Sequence, residues 1–148
     1  MIKITDIVAA VNRLLKNRYT DCKTYGHEVI EGYDKPSFFV DIGSRSISNE
    51  SINFQKCAYT IMITYFTDKS GQDKSLDNLK KIDEIKELFG YKLAINDRFI
   101  NVTDFGYDFV GEFTDTLQLS IEIEFFDTVE RNTDTTTANT MNLTVEKR

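Results

Sequence analysis

Residues 57–66 read CAYTIMITYF. At a strand's period of two, Cys57, Tyr59, Ile61, Ile63 and Tyr65 fall on one face, and Ala58, Thr60, Met62, Thr64 and Phe66 on the other. Neither face carries a charge. A strand with one wet face normally alternates apolar with polar, so this one needs cover on both sides. The fold question becomes what lies on each side of it.

Outward from that strand, the clearest neighbour is TLQLSIEIEFF at 116–126. Leu117, Leu119, Ile121, Ile123 and Phe125 point one way, and Gln118, Ser120, Glu122 and Glu124 the other, an ordinary half-buried strand. Between the two lies DKSLDNLKKIDEIKELFG, whose Leu76, Leu79, Ile82, Ile85, Leu88 and Phe89 form a helical stripe. Asp73 or Ser75 is its expected N-cap, Gly90 its stop, and Lys80, Lys81, Asp83, Glu84, Lys86 and Glu87 its solvated face. A first helix is expected over 5–18 from Ile4, Ile7, Val8, Val11, Leu14 and Leu15, capped by Thr5, with Asp6 at its positive end.

Further strands are expected near 22–31, over 37–47 after the single proline, Pro36, and in YKLAI and FINVTDFGYDFVG, where Gly106 and Gly111 suit bulges or turns. The order α-βββ-α-ββ(β) reads as α+β: a mostly antiparallel sheet with two helices packed on one face. One domain is expected over 1–127, followed by a flexible Thr-rich arm over 128–148. That arm has five threonines between 133 and 140 and no periodicity, so it cannot bury enough surface to offset its ordering entropy.

The chain has 148 residues and a net charge of -6. An acidic chain is a poor duplex binder, since affinity for DNA comes largely from neutralising phosphates. Cys22 and Cys57 are too few for a disulfide framework and read as free thiols. No apolar run approaches the roughly 18 residues of a membrane helix, and the N-terminal stretch does not have the form of a signal peptide. No cofactor or metal site is expected: His27 is the single histidine, it lies an odd spacing from Cys22, and neither HExxH nor paired CxxC occurs. GSRSIS is not a phosphate loop. Glu122 and Glu124 share a wet strand face, where solvation is the ordinary state of such a pair. The expectation is therefore no enzyme. The aromatic content, 11 Phe and 7 Tyr, falls mostly on strands. Two helices cover one sheet face, which leaves Ala58, Thr60, Met62, Thr64 and Phe66 as a candidate subunit interface.

MIKITDIVAAVNRLL, then YGHEVIEGYDKPSFFVDI, then YTIMITYF with a polar loop and LDNLKKIDEIKELFG, resemble the tail terminator proteins of phages and phage-like particles. The nearest likeness is to contractile defective prophages and R-type bacteriocins of Gram-positive bacteria, over residues 1–127. The resemblance implies a structural ring, typically hexameric, on the head-proximal end of the tail tube. Such a ring ends tube polymerisation and anchors the last sheath ring. Implied partners are further copies of the chain, the tube protein, the sheath protein and, in a full phage, the head–tail connector. DNA would at most pass through an acid-lined pore. The implied location is the bacterial host cytoplasm during assembly and then the particle, with no membrane partner. The alternative is a tail-completion or head–tail joining protein, or a tail assembly chaperone. Leu143 and Val145, spaced by two, with Lys147 and Arg148, make the end of the arm a candidate strand for a partner's sheet edge.

Overall fold

The computed structural model describes residues 1–26 and 32–129. His27, the second half of the strand expected at 22–31, and the arm residues Leu143, Val145, Lys147 and Arg148 lie outside that part. The elements in chain order are α1 (Ile4–Arg18), β1 (Lys23–Tyr25), β2 (Ser37–Asn49), β3 (Phe54–Phe66), α2 (Gly71–Phe89), β4 (Lys92–Ile95), β5 (Arg98–Val110) and β6 (Thr116–Thr128). They build one six-stranded sheet in the order β1-β2-β3-β6-β5-β4. Only β1 runs parallel to its neighbour; the other pairings are antiparallel. The α+β class and element order read from the sequence are those of the structure.

CAYTIMITYF lies at the centre of the sheet, between β2 and β6. Its Ile61 and Ile63 pair across to Ile121 and Leu119, and all four are no more than 1% exposed. Burial of each such side chain stabilises by roughly 1.5–3 kcal/mol. Ile7, Val11 and Leu15 of α1 and Ile82, Ile85 and Phe89 of α2 join the same core. The helices therefore cover the odd-numbered face of β3, as the pattern demands.

Several local expectations are corrected. The N-cap of α1 is Lys3, not Thr5. Its backbone N–H donates to Asp6 Oδ2 at 2.9 Å, the half of a capping box in which the side chain three residues on reaches back to the N-cap amide. The N-cap of α2 is Ser70, not Asp73 or Ser75. Gly106 sits in regular pairing opposite Ser120, and the register shift of β5 falls between Val102 and Asp104 instead. Gly111 does serve as a turn, at φ +93°, a backbone region that glycine enters without Cβ strain.

The stripe of α2 is also rotated. Its buried residues are Asn78, Ile82, Ile85 and Phe89, whereas Leu76 and Leu79 are 54% and 52% exposed. Polar contacts set that rotation. Asp77 accepts hydrogen bonds from Tyr65 Oη (2.6 Å), Thr67 Oγ1 (2.5 Å) and Lys81 Nζ (3.2 Å). Asn78 Nδ2 donates to the Asp115 carbonyl at 3.3 Å. Burial works to raise the Asp77 pKa, but the bonds from Thr67, Tyr65 and Lys81 outweigh it and hold the carboxyl below its ordinary value. The same contact, added to burial, pushes the Tyr65 hydroxyl well up. Asp77 and Asn78 thus face the sheet, and the two leucines turn outward.

Candidate functional site

Among the described residues no helix lies over the even-numbered face of the sheet, and the candidate interface residues all lie there. Ala58 is buried at 4% exposure, while Thr60, Met62, Thr64 and Phe66 are half-buried by strand neighbours. Ser120 Oγ lies 3.6 Å from Met62 Sδ, and Gln118 Nε2 is 3.4 Å from Thr64 Oγ1. Around Met62 and Thr64 this face is a shallow surface of small and weakly polar groups, with Asp41 beside Met62 and the glutamates of β6 beside Thr60 and Ala58.

Both ends of the face are aromatic. At the Phe66 end, the turn before Pro36 lays Tyr33 against Phe66 and Phe39, with centroids 5.0 Å apart in each case, and Tyr25 closes on Phe39 at 5.2 Å. Rings at such spacings add about 0.5–1.5 kcal/mol per pair beyond area burial. The chain itself therefore covers one end of the second face of CAYTIMITYF. At the opposite end, Phe54, Phe99 and Phe126 are 49%, 71% and 55% exposed. A shallow cavity of about 330 Å³ lies there, lined by Lys56, Phe99, Glu124 and Phe126 among others.

Charge sits between these ends. Glu122 and Glu124, which the sequence pattern leaves solvated, are bridged by one cation: Arg45 reaches Glu122 Oε1 at 3.0 Å and Glu124 Oε2 at 2.7 Å. Lys56 adds a contact to Glu124 at 3.5 Å. Arg45 can do this because it falls at the register shift between Ser44 and Ser46 of β2, where a bulge re-aims a side chain. A carboxylate pair tied to two cations is a structural network, not a general acid and base.

Asp127 has the most connected carboxylate at this end. It is 4% exposed and accepts hydrogen bonds from Ile2 N (2.7 Å), Arg98 Nη1 (3.2 Å) and Thr128 N (3.0 Å). It joins the chain's start, the β4–β5 hairpin and the end of β6. Sequence reading missed it, although a lone acid on the apolar phase of β6 was its signal.

Among the described residues no cluster of His, Cys, Asp and Glu is arranged to hold a metal ion, and no helix is long and apolar enough to cross a membrane. Cys22 and Cys57 are free thiols. Burial, then the nearby Asp21 charge, pushes the Cys22 thiol up to about 11, so it is not an activated nucleophile.

Residues 6–135 match the family model described as "Phage tail terminator protein". Comparison with curated proteins gives no match. One solved structure, whose name carries no functional description, is 12% identical with a TM-score of 0.48, over 90% of this chain and 100% of that one. That likeness is too loose to inform function.

Proposed function

The chain belongs to the phage tail terminator protein family, a structural family of the phage tail, and from that premise we propose that it forms a ring capping the head-proximal end of the tail tube. The ring, of six copies, ends tube polymerisation and anchors the last sheath ring. The observation that carries this reading is the uncovered sheet face, with Met62, Thr60 and Thr64 at its centre and exposed Phe54, Phe99 and Phe126 at one end. Apolar area of this kind belongs against another chain. The particle we propose is contractile, of the defective-prophage or R-type bacteriocin kind in Gram-positive hosts, and the ring is assembled in the host cytoplasm.

A polymer without its terminator keeps adding subunits. Particles assembled without this protein should therefore carry overlong tubes, or tubes without stable sheath, by electron microscopy. Normal-length tails with intact sheath would sink the proposal and favour the assembly chaperone, while normal tails detached from heads would favour the joining protein.

The open face has its own test. Met62 is half-buried on that side, so Met62→Glu should leave the circular dichroism spectrum and melting temperature nearly unchanged while abolishing ring or tube-end assembly. Unfolding of the monomer instead would mean that the site behaves as core, where a new charge is not tolerated.

For the domain division, we propose that residues 1–127 form the folded unit and that the segment from 128 serves as an arm. Leu143 and Val145 would add as a strand to a sheath protein's sheet edge, with Lys147 and Arg148 beyond. Removal of residues 130–148 should leave folding and ring formation intact and weaken sheath attachment. Full, stable sheath on particles built with the truncated protein would refute the arm.

A further inference from the structure

We propose that neighbouring copies in the ring join edge to edge, β1 of one copy adding antiparallel to the outer edge of β5 of the next. This rests on the ring proposed above and adds what holds it laterally. The first observation is an unfilled strand edge. β4 pairs only with Arg98–Asn101, so among the described residues nothing pairs with the outer side of Thr103–Val110. An exposed edge of that length invites pairing. At the other side of the sheet β1 is the terminal strand.

The two edges match in level and direction. Thr24 pairs with Phe38, Phe38 with Tyr65, Tyr65 with Leu117, and Leu117 with Phe109. Thr24 and Phe109 therefore stand at the same height on opposite edges, well clear of β4, which lies at the far end of β5. β1 runs with β2 and against β3, and β5 runs with β3. Rotation about an axis lying along the strands preserves those directions, so β1 of one copy meets β5 of the next antiparallel, Lys23 opposite Val110 and Tyr25 opposite Asp108. A head-to-tail contact of this kind is the heterologous type that closes a ring.

Charge and packing complete the match. The segment 103–112 carries Asp104, Asp108 and Glu112 with no basic residue, whereas 13–23 carries Arg13, Lys16, Arg18 and Lys23 against Asp21 alone. Acids on an exposed edge discourage indiscriminate pairing until a basic edge arrives. Among the described residues Lys23 has a long 3.9 Å contact to the exposed Asp34, and the new pairing sets it diagonally beside Asp108, within reach on the same face. Between α2 and β5, clefts of about 440 and 690 Å³ are lined by Leu79, Phe105, Tyr107 and Phe109. Leu79 and Tyr107 are each more than half exposed there. The end of α1 from the next copy covers those side chains.

The test is disulfide trapping in the full chain. Lys23→Cys and Val110→Cys are combined with Cys22→Ser, leaving the buried Cys57 in place. Within one copy the two sites are four strands apart, roughly 19 Å, so they cannot bridge internally. Oxidation of rings on tube ends should give a ladder of covalent multimers, which neither single-cysteine variant gives. In parallel, Asp108→Lys alone should cut ring yield about fivefold, and adding Lys23→Asp should restore it. Rings seen by native mass spectrometry without a ladder, or without rescue, would overturn the edge pairing and leave the ring standing. A protein that forms no ring, free or on tubes, would remove both readings together.

Discussion

Replacement of Phe38 by alanine should lower the unfolding free energy by about 3–5 kcal/mol, the range for emptying a large aromatic site in a core. Phe38 is fully buried, with its ring 5.2 Å from that of Tyr19 and 5.0 Å from that of Tyr65. It links the end of α1, the second strand and the central strand. Those neighbours cannot collapse freely into the space. Tyr19 Oη is tied to Glu84 at 2.8 Å and Tyr65 Oη to Asp77 at 2.6 Å. Loss of contact and residual cavity therefore add, and for a domain of this size the melting temperature should fall by roughly 8–16 °C. Urea unfolding followed by circular dichroism measures it. The control is Phe39→Ala, one residue along, whose ring sits on the open face in the Tyr33 cluster and should cost about half as much. A loss below about 1 kcal/mol at Phe38 would show that the core repacks around the gap.

That contrast between adjacent phenylalanines also marks what the sequence could reveal. Alternation told the two faces of β6 and β3 apart, because period-two patterning is imposed by the backbone itself and needs no partner to interpret it. Helical spacing located α1 and α2 for the same reason. Facts that depend on remote residues were hidden. Leu76 and Leu79 fit the apolar stripe of α2 as well as Ile82 does, yet Asp77 and Asn78 face the sheet, because Tyr65, Thr67 and the Asp115 carbonyl offer them partners. Tyr33 covers part of the second face of the central strand through a turn that has no periodicity to read. Arg45 fell within the strand expected over 37–47, but only the register shift shows that it reaches two glutamates. For the candidate site, the face was legible and its edge was not: nothing in FINVTDFGYDFVG says that β4 stops at Ile95 and leaves the outer edge of the rest of β5 without a partner among the described residues.

Asp127→Ala should cost about 1.5–3 kcal/mol, the range for losing hydrogen bonds to a charged group, since its cationic partners, Arg98 and the chain's amino group, stay more than a third exposed and return to water. The carboxylate is almost fully enclosed, and Arg98 Nη1 at 3.2 Å and the chain's amino group at 3.9 Å both lean on it. Removal also strands the Ile2 amide, which donates to it at 2.7 Å, and an unpaired buried donor carries a desolvation penalty of about 1–3 kcal/mol. Arg98 keeps one bond, from Nη2 to the Phe126 carbonyl at 2.7 Å, so the β4–β5 hairpin should loosen without detaching. Asp127→Asn separates charge from geometry: the amide can still accept from Ile2, but it no longer balances the two cations, and its loss should be about half that of alanine. Hydrogen exchange locates the damage. Faster exchange at Ile2, in β4 and at the end of β6, with the β2–β3 pairing protected, is the expected pattern. Uniform acceleration across the sheet would mean that Asp127 supports the whole domain and not this one corner. The corner matters because exposed Phe99 and Phe126 flank it. A subunit loosened there should fold yet cap tubes poorly, with assembly failing at temperatures below the melting point.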